Sequence, residues 1–287
     1  MTRLISRRGC PCAQRRCRRA FTYIELLVVL LLIVAGIAFF LPFRRHTHEG
    51  GSNRVKCASN LRQIGQAILL YSNDNRGVYP RTRASLVKDG QEPVPVWGTG
   101  VAATQPFKED GPAENDVTAA LFLLLRTQDI TSEVFTCPSS NDEKDVFGGA
   151  PDAAPIGQSN FSDFKKNLSY SYQNPYPTVA AIGKGFKLNN AIGPDFAVAA
   201  DKNPGTVGAG DNVFKPTATS SAVEMKLANT SNHDKDGQNV LYGDGHVAWE
   251  SNPFVGINRD NIYTTGDGRI AASPVDANDS ILLPTDD

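Results

Sequence analysis

Six residues able to bind a metal or move a proton lie within the stretch "SNHDKDGQNVLYGDGHVAW". They are His233, Asp234, Asp236, Asn239, Asp244 and His246. Three kinds of chemistry fit them. Asp234, Asp236, Asn239 and Asp244 offer the loop oxygens that calcium takes, although the terminal Glu of a twelve-residue calcium loop is missing. His233, His246 and one Asp are a ligand set for a catalytic metal. In the third reading all are structural: Asp244 caps a tight turn at Gly245, and His233 hydrogen-bonds across to it. Gly183-Lys184-Gly185 lacks the spacing of a phosphate loop, and no Gly-x-Ser-x-Gly elbow occurs. No nucleophile stands beside a base, so the chain reads as a non-enzyme with no required cofactor, calcium being the candidate ion.

A second charged residue raises a different question. Glu25 stands in the apolar run Phe21–Phe43, where a carboxylate costs several kcal/mol unless it is partnered. As a helix this run would be about 35 Å long, enough for roughly 30 Å of hydrocarbon. Residues 1–20 carry seven arginines and no acid. By the positive-inside rule they stay in the cytoplasm, and the chain after residue 43 lies outside. A cleaved secretory signal has a shorter apolar region and a small-residue cleavage site. A twin-arginine signal fits poorly with Glu25, and a plain anchor does not explain it.

The elements that position these groups follow from patterning. Without the basic head the chain has 22 basic and 30 acidic residues, an acidic body that argues against nucleic-acid binding. Gly50-Gly51 predicts a break, and Ser52 an N-cap for a helix running to about Ser72. Its apolar face is Val55, Ala58, Leu61, Ile64, Ile68 and Tyr71. Residues 80–116 read as loops and Val117–Ile130 as a short buried helix. "SYSYQNP", "FAVAADKNP" and "VEMKLAN" read as strands or strand ends. Asn239–Tyr242 and His246–Glu250 flank Gly243-Asp244-Gly245 as a hairpin. Residues 141–167 read as a surface loop, and residues 251–287 as a polar tail. In the body, Cys57 and Cys137 are either a disulfide, as an oxidising compartment permits, or two separate buried thiols. No CxxC or HxxxH in the body supplies a zinc site.

"RRAFTYIELLVVLLLIVAG" closely resembles the prepilin signature of type IV pilins and type II secretion pseudopilins. The resemblance implies cleavage at Ala20–Phe21 by a prepilin peptidase and N-methylation of Phe21. Ala20 stands where the family usually has Gly. The resemblance further implies that Glu25 of one subunit pairs with the Phe21 ammonium of a neighbour in a filament. An unpaired Glu25 would then penalise the monomer. "CASNLRQIGQAILLYSNDNRGVYP", Cys137-Pro138-Ser139, Ser169–Pro177, Asp201–Gly205 and the His233…Asp244-Gly245-His246 pattern occur in the order found in a bacterial prepilin-like subgroup. Major pseudopilins carry calcium in a carboxy-terminal loop, which bears on the Asp234–Asp244 set.

The expected architecture is α+β and pilin-like: a cleaved leader (1–20), a transmembrane helix (21–43), a linker (44–51), an α+β domain (52–250) and a tail (251–287). An amphipathic helix packs on an antiparallel sheet with long loops. The expected protein is a subunit of a pilus or secretion pseudopilus in the bacterial inner membrane, single-pass, with its body outside. Its partners are the peptidase, like subunits and the secretion or pilus machinery. The alternative is a membrane-anchored binding or metal-dependent domain that uses the signature only for export.

Overall fold

The computed structural model describes residues 22–40, 49–85, 92–149, 154–205 and 216–286. Its contacts divide the chain into two units, residues 1–48 and 49–287.

In the first unit, helix α1 spans Tyr23–Phe40. Eighteen residues give about 27 Å. Among the described residues, no helix is long and apolar enough to cross a membrane. Of the span expected over Phe21–Phe43, the described residues show helix over Tyr23–Phe40. Phe21 and 41–43 lie outside the described residues, as do the leader, Ala20, and residues 44–48 of the linker. Apolar side chains from Tyr23 to Ile37 are exposed all round α1.

The second unit is α+β. Helix α2 runs Glu49–Asp74, through Gly50-Gly51. The expected break and the Ser52 cap are therefore corrected. The glycines fall in the first turn, whose N–H groups lack intrahelical partners anyway, so the helix loses little there. Leu61, Ile64, Ile68 and Tyr71 are buried as their spacing predicts, but Val55 is exposed. Beyond Asp74, the left-handed residues Arg76 and Gly77 turn the chain away.

Helix α3 (Val117–Thr127) is buried from Val117 to Leu125. Its N-cap Asp116 is fully buried, and its carboxylate accepts five hydrogen bonds. Thr99 N–H and Oγ1–H (3.0 and 2.6 Å) and Asn160 Nδ2–H (3.0 Å) reach one oxygen. Thr118 Oγ1–H and Ala119 N–H reach the other, both at 2.8 Å. Asp116→Ala strands these donors and removes the cap. It is expected to cost about 3 kcal/mol or more in urea unfolding; a loss under about 1 kcal/mol would contradict this packing.

The sheet comprises β1 (Tyr170–Gln173), β2 (Ala197–Asp201), β3 (Gln238–Tyr242), β4 (Val247–Glu250) and β5 (Leu282–Leu283). Its order is β4-β3-β2-β1-β5, and every pairing is antiparallel. Helix α2 packs on β3 at Gly65, where an added Cβ would sit 2.9 Å from Leu241 Cδ1. Two apolar clusters enclose the sheet. The larger includes α2, α3, Val198 and Leu241; the smaller joins Ala197, Ala200, Val240 and Tyr242 to Ile262, Tyr263 and Leu282. Burial on both faces explains why β2 reads as an unbroken apolar run rather than an alternation.

Three local expectations change. Short helices α4 (Phe164–Asn167) and α5 (Val179–Gly183) punctuate the loops around β1, and Asp145 and Phe161 in the expected surface loop are buried. "VEMKLAN" forms helix α6 (Ala222–Leu227), started by a reciprocal Ser221–Glu224 capping box. The tail supplies β5 and the Ile262, Tyr263 and Leu282 side chains of the second cluster.

The tail also holds a buried carboxyl, Asp279, and a half-buried one, Asp260. Burial pushes Asp260 up to about 7 and Asp279 up to about 6; the Asp279 charge raises Asp260 further, and Asp276 raises both. Asp260 accepts from Ser280 N–H at 2.9 Å, and Asp279 from Val275 N–H at 2.8 Å. A carboxyl raised on folding leaves the folded state holding more protons than the unfolded chain. Its stabilising effect is therefore lost as pH rises from about 4 toward 7. Asp260→Asn keeps an acceptor for Ser280 and does not ionise. Measured by unfolding midpoint, it is expected to gain on the wild type between pH 4.5 and 8. A difference that does not change with pH would contradict this.

Candidate functional site

The buried centre of the second unit lies where α2, the segment after the Ser132–Phe135 turn, the end of β2 and the turn before β3 meet. Cys57 is fully buried on α2. The chain leaves a 3-10 turn (Ser132–Phe135) and reaches Cys137, whose N–H donates to Ser169 Oγ at 2.8 Å. The two cysteines form a disulfide with Cα atoms 5.4 Å apart. Of the two readings left open by the sequence, the structure takes the first.

His233 ends a 3-10 turn, Ser231–His233, capped by Thr230. Its Nε2 lies 3.7 Å from Cys137 Sγ and 3.3 Å from Asp201 Oδ2. Trp249 meets the imidazole edge-on, with ring centroids 5.2 Å apart, and Arg54 stacks over Trp249 at 4.0 Å. Asp201 ends β2. Its Oδ2 accepts from Asn239 N–H at 2.6 Å and Asn239 Nδ2–H at 3.0 Å. Its Oδ1 is buried with no hydrogen-bond partner. The ligand atoms of Cys57, Cys137, Asp201 and His233 all lie within 4.8 Å of one another, and all four residues are buried.

The residues singled out from sequence are thereby divided. His233 Nε2 lies beside Asp201 Oδ2 and Asn239 Nδ2, at 3.3 and 3.5 Å, correcting the expected contact with Asp244. His246 is exposed, stacked on Tyr242 at 4.6 Å, with Nδ1 2.5 Å from Asp244 Oδ1. It is not gathered with His233. Asp244 does cap its turn, accepting from His246 N–H at 3.0 Å. These contacts hold the Asp244 carboxyl below its usual range. Gly245 takes a φ of +87° there, a conformation that favours glycine.

The expected calcium oxygens are turned to other partners. Asp236 pairs with Lys226 at 2.7 Å and Arg54 at 3.3 Å; the Lys226 hydrogen bond is the main cause of its lowered pKa. The Asn239 amide serves Asp201. Asp234 occupies a left-handed cap position and is exposed.

In the first unit, Glu25 has a local partner that the sequence reading overlooked. Thr22 N–H and Oγ1–H each donate to Glu25 Oε2 at 3.0 Å, and Glu25 N–H approaches Thr22 Oγ1 at 3.4 Å. This is a capping box at the start of α1, legible as Thr22-x-x-Glu25. Within the chain, Glu25 thus has neutral hydrogen-bond partners in Thr22. Asp201 was also overlooked as a site residue, because only the strand topology brings it beneath His233.

No protein-family model, no curated protein and no solved structure matches this chain.

Proposed function

We propose that the chain is a pilin-like or pseudopilin-like structural subunit. It is cut at Ala20–Phe21 by a prepilin peptidase, methylated at Phe21 and held in a bacterial inner membrane by the Phe21–Phe43 segment. The observation that carries this reading is the run Arg18-Arg19-Ala20-Phe21 followed by Glu25 and an apolar helix. A helix apolar on every side gains by burial in lipid or against like helices. The disulfide suits a body exported to an oxidising compartment. The capping box leaves room for the filament contact. Glu25 accepts from Thr22 through one oxygen, and the other can meet the ammonium of a neighbour.

The body would decorate the filament and contact secretion or pilus machinery outside. Electron microscopy of the native host, with antibody against the second unit, tests this. Labelled filaments that disappear on deletion of the gene are expected. Label confined to unassembled protein in the membrane would favour the anchored binding domain instead.

A further inference from the structure

We propose that Cys57, Cys137, His233 and Asp201 form a zinc site that fills when the cysteine pair is reduced. This goes beyond the filament reading and does not depend on it. Two thiolates, an imidazole and a carboxylate are a complete tetrahedral zinc set, and soft sulfur with imidazole selects zinc over calcium or magnesium. The four side chains come from α2, the segment after the Ser132–Phe135 turn, β2 and the Ser231–His233 turn. No local spacing motif announces them.

Two of the six ligand edges match a zinc tetrahedron, and the sulfur-to-sulfur edge opens when the bond is reduced. Zinc bonds of about 2.3 Å to sulfur and about 2.0–2.1 Å to nitrogen and oxygen imply tetrahedral edges of about 3.6 Å for S···N and about 3.3 Å for N···O. The observed Cys137 Sγ to His233 Nε2 distance is 3.7 Å, and His233 Nε2 to Asp201 Oδ2 is 3.3 Å. A separate observation also points to a cation. Asp201 is fully buried, and its second oxygen, Oδ1, accepts no hydrogen bond among the described residues, so the charge of this carboxylate is only partly compensated where a cation would bind it. Asn239 already orients this carboxylate through two donors, the support that ligating carboxylates ordinarily have.

The chemistry balances with a dithiol as reductant. Its two electrons and two protons go to the Cys57–Cys137 bond, giving two protein thiols, and the dithiol becomes a disulfide. Zinc then replaces the two thiol protons, which leave to solvent, while His233 binds as the neutral imidazole. In the oxidised chain both sulfurs are spent on each other, so two ligands remain and zinc is not held.

The test uses the full-length chain in detergent, reduced with a phosphine under argon and titrated with Co²⁺. One equivalent per chain is expected, with a thiolate-to-cobalt charge-transfer band and the visible bands of tetrahedral cobalt, both removed by Zn²⁺. The oxidised chain is expected to give neither. His233→Ala and Asp201→Asn are each expected to weaken binding tenfold or more. If reduction unfolds the chain, restoration of native circular dichroism by Zn²⁺ supports the site, and continued unfolding overturns it. Absence of the charge-transfer band in the folded, reduced chain overturns it, as does wild-type affinity in both variants.

Discussion

Glu25→Gln is expected to be inserted and processed like the wild type, and yet to form no filaments. Glutamine keeps a side-chain oxygen for Thr22 N–H, so the capping box at the start of α1 survives. Only the charge is lost. If that charge pairs with the Phe21 ammonium of the next subunit, its removal leaves an ammonium without a partner in a low-dielectric contact. Breaking such a pair costs about 3–5 kcal/mol, roughly a hundredfold to several thousandfold in affinity at each contact. A polymer repeats that contact at every subunit, so the loss compounds. Glu25→Ala removes the cap as well and is expected to fail in the same way. Filaments in Glu25→Gln but not in Glu25→Ala would show instead that the carboxylate serves only to start its own helix. Electron microscopy of both variants, beside immunoblots of the membrane fraction, separates these outcomes.

Replacing Cys57 and Cys137 together by alanine is expected to have the next largest effect. The bond joins residues 80 apart in sequence. Closing a loop of that size limits the unfolded chain by about 4.5 kcal/mol in the chain-entropy treatment, an upper guide. Against a whole-domain stability of about 5–15 kcal/mol this is a large share. Both side chains are buried, and alanine fills most of the space without a stranded polar group. The loss is therefore expected in the unfolded state more than in core packing. Urea unfolding followed by the fluorescence of Trp249, which packs beside His233, measures it. A loss below about 1 kcal/mol would mean that the cross-link does little for the fold. Under reducing conditions the wild type is expected to lose stability similarly and to regain part of it on adding zinc, whereas the double variant is not.

Periodicity carried the α2 reading where side chains meet the sheet. Leu61, Ile64, Ile68 and Tyr71 are buried, while Val55 lies a turn nearer the helix start and is exposed. Turn chemistry carried the β3–β4 hairpin, since Gly243-Asp244-Gly245 admits few other structures. Two helix starts were written in the sequence and overlooked. Ser221-x-x-Glu224 and Thr22-x-x-Glu25 are both capping boxes, and the first turned an expected strand into α6. The tail was harder to read, because β5 is only two residues long. Its packing depends on Ile262 and Tyr263 meeting the far face of the sheet, a tertiary contact with no local pattern. The buried cluster was less legible still. Cys57, Cys137, Asp201 and His233 become neighbours only once the strand order is set. His233 drew attention through its proximity to Asp244 in sequence, yet its imidazole lies beside Asp201, on the strand paired with β3.

The most direct measurement is the amino-terminal sequence and intact mass of the protein purified from its own membranes. The filament-subunit proposal predicts a mature chain that begins at N-methylated Phe21, with the twenty-residue basic leader gone. A chain that begins at Met1, or one cut after the apolar run, would contradict it.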